Sequence, residues 1–198
     1  MTTAGPDPDE PTAAPNGRFR LVLLGILVLA LLAAAGCLVW LFAERRGTAS
    51  DVQAERDAVQ RQTEQFVLRL NTYGPEGLDA QGHLPTYEKQ VAAVITPKFA
   101  TDFEKSGLPI AEQTVAQAGY GRTAKVFGVG VESVDADSAK AIVAAGFTGS
   151  YPDPKNPKDE TKRVESDPDV LRWVVTLVNT DDGWLVDDYA PVKTEAGQ

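Results

Sequence analysis

An α+β domain carried behind a single membrane-spanning helix is the architecture the sequence predicts, and three observations predict it. Leu21 to Ala43 is an uninterrupted apolar run. The stretch up to about Gln117 is then dominated by helical spacing, and from Thr123 onward the period of the apolar residues changes to two. Helices first and an antiparallel sheet last define an α+β arrangement, with the helices covering one face of a curved sheet.

The apolar run LVLLGILVLALLAAAGCLVWLFA, residues 21–43, holds no charged, amide or hydroxyl side chain. A spanning helix needs about 20 such residues, and in hydrocarbon a lone span must satisfy every backbone N–H and C=O within itself. Leu21, Leu31, Cys37 and Ala43 mark its start, middle, sole thiol and end, with Arg18 and Arg20 before it and Glu44, Arg45 and Arg46 after it. Cleavage as a signal peptide is disfavoured, since a signal core is shorter and is followed by a small-residue site. Ala34-Ala35-Gly36-Cys37 has the look of a lipoprotein processing box, but Leu38 to Phe42 continues the apolar run where a polar spacer belongs. A membrane-buried thiol is the favoured reading of Cys37. Two basic residues on each side leave orientation open by the positive-inside rule.

Residues 1–20 form a polar tail rich in Pro, Ala, Thr and acidic groups, expected to be disordered and, if the tail lies inside, cytoplasmic. Residues 44–64 read as a helical stalk whose start at Ser50-Asp51-Val52-Gln53 fits a capping box. Phe66, Val67 and Leu70 make its second half apolar, so the helix docks there on a globular domain of residues 65–192; residues 193–198 are a disordered end. A heptad seam through Val52, Val59 and Phe66 would allow a homodimer, but it covers few heptads.

Asn71 to Pro85 is turn-rich. Tyr87, Val91, Val94 and Ile95 then have helical spacing, and Thr96-Pro97 restarts a helix carrying Phe99 and Phe103, expected to stop at Gly107. Ile110 to Gln117 reads equally as helix or strand. The first strand follows, with Phe127, Val129 and Val131 on one face and Val126, Gly128 and Gly130 on the other. Asp135-Ala136-Asp137 turns the chain into a second strand, Lys140 to Ser150. Tyr151 to Asp169, with four prolines, reads as a mobile connection. Val170 to Asn179 is apolar on both faces, which implies burial on both sides. Asp182-Gly183 turns it into Trp184 to Tyr189.

Composition excludes several functions. The net charge of −9 falls almost entirely beyond the span, so nucleic acid is a poor partner. One cysteine and one histidine, His83 in a Gly-Pro loop, exclude an intrachain disulfide and leave no cysteine or histidine metal set, and no cofactor is expected. Asp181, Asp182, Asp187 and Asp188 lack calcium-loop spacing and read as turn and edge carboxylates. Gly119-Tyr120-Gly121-Arg122-Thr123-Ala124 matches a loose dinucleotide pattern, but a strand follows it where a helix is required. No nucleophile has a base beside it in sequence, so no catalytic residue is assigned and the chain is not expected to be an enzyme. Phe127, Phe147, Trp173 and Trp184 are the aromatics available to the inside of a bent sheet, either as plain core or as the lining of a pocket for an apolar ligand.

The C-terminal run Leu171 to Val192, with Trp173, Asp181-Asp182-Gly183-Trp184, Asp187-Asp188-Tyr189 and Pro191, resembles the ending of Mce-associated (mammalian-cell-entry-associated) membrane proteins of actinobacteria. The plan of tail, span, capped helix and small domain is also similar over residues 20–192. The resemblance implies a cone-shaped domain like those of nuclear transport factor two and cystatin. It also implies a single-pass protein of the cell membrane with its N-terminus inside and its domain outside. The role it implies is that of an accessory, stabilising subunit of a lipid or sterol transporter, with other transporter subunits as partners. The same layout resembles the bitopic scaffold subunit of a type IV secretion or conjugation apparatus, and a cone holding a lipid is a third reading.

Overall fold

The computed structural model describes residues 17–156, 159 and 161–192, and the side chains of 17–19 and 41–49 stand outside that description. The chain forms two compact units that divide between Asp51 and Val52. Expected disorder at residues 1–16 and 193–198 lies outside the described residues.

Helix α1 is assigned from Gly17 to Leu70 and contributes to both units. It begins ahead of Leu21 and shows no restart at Ser50, so the capping box expected there does not form. Ser50 and Asp51 are in mid-helix, where the N–H groups a cap would satisfy already have carbonyl partners one turn earlier. In the first unit, Arg20–Trp40 is 21 residues long with a mean hydropathy of 2.9 and none of it buried, long and apolar enough to cross a membrane. Leu21, Leu31 and Cys37 are exposed on it, whereas the Ala43 side chain lies outside the described set.

The second unit uses the rest of α1 as the spine of its helical layer. Val59, Thr63, Phe66 and Val67 are completely buried, at the spacing of one helix face. Val52 stays exposed, but Val59 and Thr63 are already fully buried, so docking begins inside the segment 44–64 that the sequence reads as a stalk. The Thr63 hydroxyl donates to the Val59 carbonyl at 2.8 Å, which lets a polar side chain sit on the buried face. Burial of Phe66 alone is worth roughly 2–3 kcal/mol.

Helix α2 (Pro85–Ala92) follows a short 3-10 turn at Pro75–Gly77, and α3 (Pro97–Asp102) starts at Thr96, whose Oγ accepts the Phe99 N–H. Gly107 does not end this helix. A π-helical turn, Phe103–Gly107, joins α3 directly to α4 (Leu108–Ala118), which resolves Ile110 to Gln117 as helix. The stop is instead Gly119, in the left-handed conformation with φ 58° that glycine favours at a helix end.

The sheet has the order β1-β2-β4-β5, all antiparallel: β1 (Gly121–Val134), β2 (Ser138–Pro152), β4 (Asp169–Thr180) and β5 (Gly183–Pro191). Strand β3 (Arg163–Glu165) pairs with Ser150–Pro152 of β2, so the connection expected to be mobile contains a strand. In the last hairpin the loop is Asp181-Asp182, with Gly183 at φ 97° closing it. The helix-facing side of β2 is Ala139, Ala141, Val143, Ala145 and Phe147, all buried, and its alanines leave room for the helical layer. Trp173, Val175 and Leu177 extend that side on β4. The other side of β4 departs from expectation: Val174, Thr176 and Val178 are only half-buried and Val170 is exposed, because among the described residues one helical layer covers the sheet and no second cover does.

Candidate functional site

The interior between helices and sheet is an aromatic chain drawn from most of the elements. Phe147 stacks on Trp173 with ring centres 5.1 Å apart, Trp173 meets Tyr189 at 4.9 Å, and Tyr189 meets Phe66 and Phe99 at 5.5 and 5.9 Å. A second chain runs Tyr151–Tyr120–Tyr73–Tyr87–Phe103 at 5.0, 6.3, 5.1 and 5.6 Å. Arg122 joins the two. Its backbone N–H donates to Tyr73 O at 2.7 Å and its C=O accepts from Tyr73 N at 3.0 Å, while its guanidinium lies 4.6 Å from the centre of the Phe147 ring. Such a cation over an aromatic face is worth about 0.5–2 kcal/mol, depending on desolvation.

Burial dominates the electrostatics of this interior. Burial pushes the Tyr87, Tyr120 and Tyr189 phenols above their usual pKa, and the nearby Arg122 charge only partly offsets it for each. All three stay protonated at neutral pH, and the Tyr87 hydroxyl donates to the Leu70 carbonyl at 3.0 Å. Among the described residues no group of three or more His, Cys, Asp or Glu is placed to hold a metal ion. His83 is a surface residue whose Nδ1 lies 3.3 Å from Glu112, and Glu112 also accepts the Leu84 N–H at 3.0 Å.

The four aromatics named from the sequence do not share one location. Phe147 and Trp173 are together in the core. Trp184 is buried elsewhere, its Nε1 donating to Glu55 of α1 at 2.8 Å. Phe127 is 55% exposed and sits on the outer face, its ring against the Gly146 backbone. A register shift between Val126 and Gly128 is the reason: the extra residue turns Phe127 outward and puts Val126, Val129 and Val131 on the helix side opposite Ala145, Val143 and Ala141. Strict alternation cannot register an inserted residue.

The aspartates divide as well. Asp187 receives Lys98 Nζ at 2.6 Å and Thr96 Oγ at 2.8 Å, pinning the start of α3 to β5, and these two donors hold its carboxyl below the usual value. Two stabilising residues escaped sequence reasoning. Arg163 donates from Nη2 to the carbonyls of Gly119 and Ser150 at 2.6 and 2.9 Å and from Nε to Ser150 Oγ at 3.1 Å, closing the proline-rich connection onto the end of α4. Arg122 is the other; the loose glycine pattern around it carries no signal for this role, and Arg163 sits in no motif.

Two open cavities are described in this unit. One, about 760 Å³, is lined by Arg69, Pro85, Thr86, Lys89, Gln90 and Ala93. The other, about 450 Å³, lies among Arg61, Gln62 and Gln65 of α1 and Asp182, Gly183 and Trp184 of the last hairpin. Both have polar or charged rims, and neither is lined by Phe147 or Trp173.

No known family profile matches the chain, and no curated protein does. Several solved structures follow a similar course. An IcmL-like type IV secretion system protein from Legionella pneumophila is 13% identical, with a TM-score of 0.48 over 72% of this chain and 97% of that one. CagV, a VirB8 homologue from Helicobacter pylori, is 15% identical, with a TM-score of 0.44 over 70% and 99%. A nuclear transport factor 2-like superfamily protein from Salmonella enterica is 13% identical, with a TM-score of 0.43 over 74% and 98%. At these values the likeness describes a layout and assigns no role. The class defined by the structure itself is an α+β domain, helices then a five-stranded antiparallel sheet, on a chain with an N-terminal apolar helix.

Proposed function

We propose that the protein is a membrane-anchored, non-enzymatic assembly subunit of a cell-envelope machine, with its α+β domain outside the cytoplasmic membrane. The observation that carries this is the pairing, on one chain, of a fully exposed apolar helix at Arg20–Trp40 with a domain whose interior is filled by packed aromatics. A span exposed along its whole length needs lipid or partner helices around it. A domain of this kind contributes surfaces for binding partners.

The identity of the machine has two forms. An accessory subunit of an Mce-type lipid or sterol transporter rests on the resemblance of residues 171–192. The bitopic scaffold of a type IV secretion or conjugation apparatus is the kind of system named for two of the solved chains above. Affinity purification of the full chain in a mild detergent distinguishes them: it is expected to recover stoichiometric envelope subunits of one system or the other. A chain that runs alone under conditions preserving such complexes would end the assembly reading. Orientation is tested by alkaline phosphatase fused after Gln198, active only if that end is translocated. A lipid-binding cone has less support, since Phe147, Trp173 and Trp184 are packed in the core. Native mass spectrometry finding a lipid on the purified chain would revive it.

A further inference from the structure

Among the described residues the sheet has one covered face and one bare face, and the bare one is rich in apolar side chains. On β4 the outward residues are Val170, Arg172, Val174, Thr176 and Val178, three valines in five, where a solvated face would alternate to polar. Phe127, Ile142 and Val170 are 55%, 40% and 60% exposed on this side. Gly128 follows the β1 bulge, which accounts for it, but Gly130 lacks such a reason. A Cβ built on Gly128 or Gly130 meets nothing within 4 Å, and neither has a positive φ, whereas Gly146 and Gly149 on β2 are crowded by the Phe127 and Tyr120 rings. Glycine weakens a strand, and one without an internal cause marks where another backbone approaches closely.

We infer that this outer face is a two-fold interface between copies of this chain, with Gly128, Gly130, Ile142 and Ala144 at its centre. The register supports self-recognition. Gly130, Ile142, Val174 and Ala190 form one uncharged row across all four strands, next to the row Gly128, Ala144 and Arg172. A two-fold axis running between these rows lays Ile142 of each copy over Ala144 of the other, large on small, and brings the bare backbones at Gly128 and Gly130 together. The charges, Lys125, Lys140, Arg172 and Asp188, stand off the uncharged row. Four strands about 4.8 Å apart and some ten residues of about 3.3 Å give a face of roughly 600 Å² in projection. That approaches the about 800 Å² per partner of a standard interface. The inference is independent of which machine the protein serves.

The test is crosslinking of the full chain in native membranes with a short bismaleimide, in a Cys37→Ser background that removes the only cysteine. Ala144→Cys is expected to give a covalent dimer, and the control Gln90→Cys on the exposed side of α2 at least fivefold less. Adding Phe127→Asp or Gly130→Glu to the Ala144→Cys chain should lower the dimer yield at least fivefold. Gly130→Glu enters open space, so near-ultraviolet circular dichroism should be unchanged. Equal yields at positions 144 and 90, or no dimer at 144 because a different protein covers the face, overturn the inference. So does a yield that survives both substitutions.

Discussion

At the scale of single residues the domain is held by side chains that close specific gaps, and Asp187 is the clearest. It binds Lys98 Nζ and Thr96 Oγ, and Thr96 in turn caps α3. Removing the carboxylate in Asp187→Ala should cost about 1–2 kcal/mol, the range of a lost cap and its charged partner. Urea unfolding of the full chain in detergent, followed by tryptophan fluorescence, measures it. The bond to Lys98, then that to Thr96, lowers the Asp187 pKa below 3.8. A depressed carboxylate contributes stability that is complete above its unfolded pKa and lost as pH falls through the folded one. The wild type should therefore lose more stability than Asp187→Ala on acidification from pH 5 toward pH 3, and parallel losses would refute the linkage. Arg163 makes a different closure. Arg163→Ala removes three bonds to Gly119 and Ser150 and should expose the loop around Asp153 to Lys162 to limited proteolysis, while Arg163→Lys should rescue little because an ammonium lacks the planar fork. Unchanged cleavage in Arg163→Ala would show that the loop is held otherwise.

At the scale of elements the π-helical turn between α3 and α4 shows two effects competing. Replacing Gly107 with alanine gains about 1 kcal/mol of helix propensity. Against that, the new Cβ would lie 2.9 Å from Cδ2 of the buried Phe103, and overpacking a core costs typically 1–3 kcal/mol. Phe103 is fixed by Tyr87, with ring centres 5.6 Å apart, so the clash wins and Gly107→Ala should be net destabilising. A chemical unfolding midpoint at or above the wild type would contradict this. The sequence announces the proline starts at Pro85 and Pro97, but glycine at 107 reads as a stop and proves to be an accommodation of Phe103. Strand β1 makes a similar point: its glycines and valines are legible as a strand, whereas its bulge at Phe127 follows from pairing with β2.

At the scale of the whole molecule the span decides where the domain is delivered. A charge at its centre opposes insertion by about 2.5–3.5 kcal/mol per Arg. Leu31→Arg should therefore move a large share of the chain out of the carbonate-resistant membrane fraction, whereas Leu31→Ile should not. Full retention of Leu31→Arg would mean that the segment is held by contacts other than lipid.

The sequence by itself determined the apolar helix, the order of helices before strands, the hairpin turns at 135–137 and 181–183, and the lack of any paired nucleophile or metal motif. All of these are local, set by composition, period and turn chemistry within a few residues. Only the tertiary structure decided that α1 runs unbroken through Ser50, that β3 forms within the proline-rich connection, and that Asp187, Arg122 and Arg163 are structural anchors. It also separated Phe127 from Phe147 and Trp173, which the sequence had grouped. Apart from the course of α1, each of these depends on partners elsewhere in the chain, and periodicity carries no record of them. The double apolar face of β4 stands between the two cases: the sequence demanded cover on both sides, and among the described residues the fold supplies it on one.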